Sequence, residues 1–96
     1  MAVQFKDLGS GEGEFFVEDN GEQVGEMSVR LEGDVMTVTH TEVDPRMEGK
    51  GLAKMILESM VEFARENNLK VLPKCSYVKT QFQRNSAEYA DVWQQR

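Results

Sequence analysis

The chain has 96 residues, which is enough for one small domain built around a single hydrophobic core. It is 40% hydrophobic and 29% charged, and its net charge of −6 disfavours nucleic acid, because phosphate backbones select basic surfaces. One cysteine excludes an internal disulfide, and one histidine argues against a structural zinc site. No apolar run approaches the roughly 20 residues that span a bilayer, and the start of the chain lacks a secretory signal. We therefore expect a cytoplasmic protein without a metal or a membrane segment. We also expect a monomer or a weak homodimer.

The charge is distributed unevenly along the chain. Residues 1–45 contain 2 basic and 11 acidic residues, for a net charge of −9, whereas residues 46–84 contain 8 basic and 4 acidic residues, for a net charge of +4. An acidic protein that concentrates its positive charge in one segment can receive a small anion there. Solvated lysines on a helix and its neighbours are the open alternative.

The first 45 residues show the period-two alternation that is typical of β-strands. Residues 9–14 are rich in glycine and predict a turn, and Asp19, Asn20 and Gly21 are typical of a hairpin. The β-branched segment 35–43 predicts a central strand. The predicted strands are 15–17, 23–31 and 35–43, with a weakly alternating candidate at 2–8. The N-terminal half is therefore predicted to be an antiparallel meander.

The second half begins where Pro45 breaks the last of these strands. From Leu52 the apolar residues recur with the period of a helix of about four turns, which Asn67 and Asn68 end. A strand at 70–75 and a second helix from about Ser76 follow. The order β-β-β-α-β-α predicts an α+β fold, with helices against a mostly antiparallel sheet in one domain, 1–96.

The sequence between the strand and the first helix, "RMEGKGLAK" at 46–54, predicts an anion site. A helix N-terminus leaves up to about four N–H groups free and carries about half a positive charge. Gly49 and Gly51 let the loop bend and let a ligand approach its amides, while Arg46, Lys50 and Lys54 add charge. The loop matches neither the P-loop pattern nor the dinucleotide fingerprint. On these residues alone, a simple helix entry is the alternative.

The pattern Arg46-x-x-Gly49-x-Gly51-x-Ala53 resembles the Q/R-x-x-G-x-G/A acetyl-CoA loop of the GNAT acetyltransferases. More narrowly, residues 40–79 resemble the short YjdJ-type branch, with a "HTEV" strand end, the glycine loop, an "ARENNLK"-like helix exit and a lone cysteine after the next strand. The resemblance implies a minimal GNAT-like fold without N-terminal helices. It also implies an acetyltransferase that uses acetyl-CoA (coenzyme A) and an unknown amine acceptor.

The resemblance further implies how acetyl-CoA is bound. Backbone amides of about residues 47–53 would hold the pyrophosphate, and the main chain of Val43 would pair with the pantetheine arm between strands 35–43 and 70–75. Lys79 is a candidate partner for phosphates near the adenosine, or an ordinary surface charge. The expected cofactor-binding residues are Val43, Arg46, Met47, Glu48, Gly49, Lys50, Gly51, Leu52, Ala53, Lys54 and Lys79.

Three residues are candidates for the chemistry. Cys75 precedes a predicted helix among basic residues, a setting that favours a reactive thiolate, and it occupies the position of the family's lone cysteine; a small buried hydrophobe is the alternative. His40 is a candidate general base. Strict alternation places it on the same face as Met36 and Val38, so a packed, hydrogen-bonded histidine is the alternative. Glu42 lies on the same face and is the next candidate base, or a solvated carboxylate.

Two other functions remain open. A CoA-binding module without turnover is the main alternative, because residues before 46 contain none of the helices that build the acceptor groove in larger GNAT enzymes. A protein-interaction domain without a ligand is the third possibility. It requires the charge asymmetry and the glycine spacing to be coincidental.

Overall fold

The computed structural model describes residues 1–95, and the regular elements before Pro45 are all β-strands. No helix of these residues precedes Pro45, as expected. The elements are β1 (Val3–Gly9), β2 (Glu12–Asp19), β3 (Glu22–Glu32), β4 (Val35–Val43), a short 3-10 turn (Pro45–Met47), α1 (Leu52–Glu66), β5 (Lys70–Pro73), α2 (Ser76–Arg84) and α3 (Ser86–Tyr89).

The five strands form one sheet in the order β1-β2-β3-β4-β5. Strands β1 to β4 pair antiparallel with their neighbours, and β5 pairs with β4 in parallel. The predicted α+β fold with a mostly antiparallel sheet is confirmed. The weak candidate at 2–8 is a full strand, so that four strands, and not three, precede α1.

The glycine-rich segment 9–14 is a shorter turn than predicted. Strand β2 already begins at Glu12, which lies opposite Arg30 on β3, and only Ser10 and Gly11 remain between β1 and β2. Pairing with both neighbouring strands outweighs the weak local preference of glycine and glutamate for a strand. The prediction of a turn over the whole segment was therefore wrong.

Helix α1 has the length and end that the sequence predicts. Its apolar stripe is buried, Asn67 caps its C-terminus, and Asn68 has a positive φ of 54° that ends the helical path. All three helices place side chains in the same core as the sheet. This core includes Phe15, Val17, Met27, Val29, Met36, Val38, Ile56, Leu57, Met60, Val78, Phe82 and Tyr89.

Only one face of the sheet is covered by helices within residues 1–95. The opposite face has two large buried apolar side chains, Phe16 and Leu72, and the Lys6 ammonium lies 4.8 Å from the centre of the Phe16 ring. The cross-strand neighbours Glu26 and Glu42 also lie on this face. We call this surface the open face. No helix of the described residues is long and apolar enough to cross a membrane.

An extra residue in β4 changes the direction of its later side chains. Ser28 of β3 lies opposite His40, but the next residue, Val29, lies opposite Val38, which leaves Thr39 without a partner. This is a β-bulge, and it advances the alternation of side chains by one residue.

The bulge overturns one sequence prediction. Before it, Met36 is buried on the helix-covered face; after it, Thr41 and Val43 are the half-buried residues on that face. His40 and Glu42 are exposed and lie on the open face, so neither shares the face of Met36. The prediction assumes that side chains alternate strictly along the strand. The extra residue breaks this alternation, and its position depends on the pairing with β3, which the sequence of β4 alone does not show.

Candidate active site

The loop between β4 and α1 is shaped by two glycines in the left-handed region. Gly49 has a φ of 82° and Gly51 a φ of 74°, and Gly51 is the residue that caps α1. An L-residue in this region costs roughly 1–2 kcal/mol, so glycine is the residue type that forms this loop without strain. At the start of the loop, the Asp44 amide donates to the Val24 carbonyl at 2.9 Å and fixes the loop to the sheet.

Hydrogen bonds within the loop occupy some of its amides and leave others free. The amides of Met47, Glu48 and Lys50 donate to carbonyls of the loop itself at 2.8, 3.2 and 3.3 Å. Amides that donate to no group of residues 1–95 are those of Gly49, Gly51, Leu52, Ala53 and Lys54. Of the amides expected to bind an anion, those of residues 47–53, four therefore remain available, and the Lys54 amide is a fifth just beyond them.

A cleft of about 270 Å³ lies in front of these free amides. Tyr77 of α2 forms part of its wall, and burial raises the pKa of Tyr77, so that the phenol keeps its proton at neutral pH. The lining residues are Val43, Met47, Glu48, Gly49, Gly51, Leu52, Ala53, Lys54 and Tyr77. The cleft thus brings together most of the residues expected to bind the cofactor.

Arg46 is held away from this cleft. Its guanidinium donates to Asp44 Oδ1 and Oδ2 at 3.1 and 2.7 Å and to Glu22 Oε1 at 2.8 Å. These bonds raise the pKa of Arg46 and lower that of the Asp44 carboxyl. The side chain therefore braces the start of the loop against β3. Glu22 lies 24 residues upstream, and no local sequence pattern indicates this contact.

Lys79 is also separated from the loop cleft. It lines a different cavity, of about 410 Å³, together with Lys74, Gln83 and Trp93. The two cavities share no lining residue. Of the expected cofactor residues, three do not line the loop cleft: Arg46, Lys50 and Lys79.

Strands β4 and β5 separate at the same end of the sheet as the loop. They pair from Val35 to Val38 on β4, and the last bond between them runs from the Lys74 amide to the Val38 carbonyl at 2.9 Å. Beyond it, β4 continues to Val43, while Pro73 ends β5 and the chain turns into α2. Within residues 1–95 no backbone hydrogen bond joins the two segments past this point. We call this opening the wedge.

Cys75 lies at the wedge as the residue that caps α2. It is half-buried, and its Sγ lies 3.2 Å from the hydroxyl oxygen of Thr41 on β4. Two residues further along each segment, Val43 and Tyr77 line the loop cleft. Thr41 was not among the sequence candidates, because its direction depends on the bulge at Thr39.

His40 and Glu42 form a pair on the other side of β4. His40 Nε2 lies 3.1 Å from Glu42 Oε1, and their side chains are 53% and 69% exposed. Both residues flank Thr41 in the chain, and neighbouring strand residues point to opposite faces. The structure therefore brings these two candidate bases together but directs them away from Cys75.

The glycine loop, the free amides and the wedge are the arrangement that the resemblance to GNAT acetyltransferases leads one to expect. Residues 14–92 match the family of GCN5-related N-acetyl-transferases, and the chain belongs to that family.

Solved structures show the same fold. The solution structure of a GCN5-like protein from Staphylococcus aureus superposes with a TM-score of 0.72 at 29% identity, over 97% of this chain and 89% of that one. The ribosomal-protein-S18-alanine N-acetyltransferase of Escherichia coli gives 0.62 at 20% identity, over 66% of this chain and 41% of that one. Tetrahymena GCN5 gives 0.62 at 12% identity, over 68% and 43%. The chain thus spans less than half the length of the latter two proteins.

Proposed function

We propose that the protein is an acetyltransferase that binds acetyl-CoA in the loop cleft and the wedge and passes the acetyl group through Cys75 to an amine. The observation that carries this proposal is the set of five free amides, those of Gly49 and of residues 51–54, beside a cleft that borders the wedge. A row of unpaired N–H groups at a helix N-terminus is suited to a pyrophosphate.

The cleft offers both charge and a path for the cofactor. Lys50 and Lys54 are exposed, and neither forms an ion pair within residues 1–95. Their ammonium groups are therefore available to the phosphates. The pantetheine arm would lie beside Val43 as an additional strand, which directs the thioester into the wedge toward Cys75.

The chemistry assigned to Cys75 is nucleophilic catalysis. Its sulfur attacks the thioester carbonyl, a Cys75–acetyl bond forms, and coenzyme A leaves as the thiol. An amine then attacks the acetyl-cysteine, and the thiol is regenerated.

We further assign the chain to the YjdJ-type branch of the family. The support for this finer assignment is the joint occurrence of the strand end at His40, the glycine loop, the helix exit before Asn67 and the lone Cys75. Within the described residues, the chain departs from larger GNAT enzymes in having no helix before Pro45.

A CoA-binding module without turnover is the second candidate. Two observations favour it: the His40–Glu42 pair is directed away from Cys75, and no helix of the described residues precedes Pro45 to build an acceptor groove. Intact-mass spectrometry after incubation with acetyl-CoA distinguishes the two functions. One added acetyl group on Cys75 supports the enzyme, and an unmodified protein that binds CoA supports the module.

The binding site is tested by titrating isotope-labelled protein with acetyl-CoA and following its backbone amide resonances. We expect the largest shifts at Val43, at Gly49 to Lys54 and around Cys75. An absence of shifts at millimolar ligand would mean that the loop only begins a helix.

Gly51→Val and Gly33→Val form a matched pair for this titration. Both glycines have a positive φ, 74° and 61°, and a Cβ at either position meets no atom within 4 Å. The two variants therefore carry similar backbone strain, but Gly33 lies in the turn before β4, at the other end of that strand. We expect Gly51→Val to weaken acetyl-CoA binding by about tenfold, or about 1.4 kcal/mol, and Gly33→Val to leave it unchanged. Equal affinities would place the cofactor elsewhere.

A further inference from the structure

Thr41 is the one side chain within residues 1–95 that forms a hydrogen bond with the sulfur of Cys75. The thiol donates to Thr41 Oγ1 at 3.2 Å, and both residues are half-buried between β4 and α2. The two residues are 34 positions apart, so tertiary structure alone brings them together.

The bulge in β4 selects this neighbour. If Thr39 were paired with β3 and not bulged, the alternation that buries Met36 would direct His40 toward the helices and Thr41 toward the open face. The Thr39 hydroxyl also donates to the Ser28 carbonyl at 3.3 Å, which ties the bulged residue to β3. Bulges are frequent next to active sites, where they redirect a side chain.

A hydroxyl suits the reaction proposed for Cys75. It accepts one hydrogen bond while it donates another, so it can take up a proton on one side and release its own proton on the other. Attack of the Cys75 thiol on a thioester requires such a transfer, because the attacking sulfur loses a proton and the departing sulfur gains one.

We propose that the Thr41 hydroxyl orients Cys75 Sγ and relays its proton to the departing sulfur of coenzyme A. This inference rests on the proposed function, in which Cys75 accepts the acetyl group. The Sγ–carbon bond forms as the carbon–sulfur bond of the thioester breaks, and the electron pair of that bond stays on the CoA sulfur. The Cys75 proton moves to Thr41 Oγ1 while the Thr41 proton moves to the CoA sulfur. The exchange regenerates Thr41 and needs no other base.

The experiment measures the rate of acetyl-cysteine formation in the full chain at saturating acetyl-CoA, by intact mass, as a function of pH. Thr41→Val keeps the β-branched shape and removes the hydroxyl, whereas Thr41→Ser keeps the hydroxyl. We expect Thr41→Val to react about a hundredfold more slowly at neutral pH and Thr41→Ser to stay within about threefold of the unchanged protein. Amide titrations should give the same acetyl-CoA affinity for all three proteins.

The pH profile separates proton transfer from packing. Without a relay, the thiol loses its proton to solvent, so the rate of Thr41→Val should rise with pH toward that of the unchanged protein. A variant that is merely misshapen would stay slower than the unchanged protein by the same factor at every pH. Thr41→Ala is a second variant without the hydroxyl, and it should show the same profile even if Thr41→Val folds poorly.

Three outcomes would overturn the relay. If Thr41→Val and Thr41→Ala match the unchanged protein, the hydroxyl has no role, although acetylation of Cys75 stands. If Thr41→Ser is as slow as Thr41→Val, the methyl group matters and the hydroxyl does not. If the unchanged protein binds acetyl-CoA but forms no adduct, the covalent function itself fails, and the relay fails with it.

Discussion

Beyond the bulge, the two faces of strand β4 carry different groups. On the helix-covered face, Thr41 contacts Cys75 at 3.2 Å, and Val43 borders the loop cleft. On the open face, His40 and Glu42 pair with each other in solvent. Three consecutive residues, 40–42, thus contain two candidate bases and the neighbour of the thiol. Closeness in sequence does not let them act on the same atom, because a strand sends alternate side chains to opposite faces.

The two faces also differ in the interactions that stabilise them. The helix-covered face is packed against α1 and α2 without a buried charge within residues 1–95. On the open face, Glu26 lies directly opposite Glu42, and like charges in that arrangement destabilise a sheet. We therefore expect the stability of the fold to depend on one face and to be insensitive to polar changes on the other.

The largest effect is expected on acetyl-adduct formation, when the loss of Cys75 is compared with the loss of the exposed His40. Cys75→Ala should abolish acetyl-adduct formation while it keeps the affinity for acetyl-CoA, because the loop amides are unchanged. His40→Gln should still form the adduct, because His40 lies on the other face. Intact-mass spectrometry of both variants provides the measurement. If Cys75→Ala transferred acetyl to an amine at the original rate, the chemistry would belong to His40 or Glu42 instead.

The second effect is on stability. Met36 is fully buried on the helix-covered face, so Met36→Ala should lower the free energy of unfolding by about 2–5 kcal/mol through lost contacts and a cavity. Glu42→Gln, on the open face, should change it by no more than about 0.5 kcal/mol. Urea unfolding can be followed through the fluorescence of the single tryptophan, Trp93. Similar losses in both variants would show that the open face is also part of a packed interface.

The smallest effect is expected at the end of β4, where Asp44 holds Arg46. The side-chain hydrogen bond from Arg46 lowers the pKa of the Asp44 carboxyl below its ordinary value of 3.8. Because the folded-state pKa is the lower one, the stabilisation is complete above pH 3.8 and disappears as the pH falls through the folded value. The melting temperature of Asp44→Asn should therefore fall less steeply below pH 4 than that of the unchanged protein. Parallel curves for the two proteins would show that Arg46 does not stabilise the folded carboxylate.

Much of this fold can be predicted from local patterns. The strand 35–43 and the helix beginning at Leu52 have the predicted bounds, because β-branched runs and a 3.6-residue apolar stripe are strong local signals. The glycine loop is predictable for the same reason, since two closely spaced glycines before a helix are a local signal of a tight loop. The first strand and the start of β2 were harder to predict, because pairing with their neighbours decides them.

The sequence by itself determined the fold class, the family resemblance and the positions of the loop and the lone cysteine. Only the tertiary structure decided which groups meet: Cys75 with Thr41, and Arg46 with Asp44 and Glu22. The physical reason is that one unpaired residue, Thr39, reverses the direction of every later side chain in β4. Thr39 is unpaired because the register between β3 and β4 shifts at this point. The register is a relation between two strands, so the sequence of either strand alone does not show it.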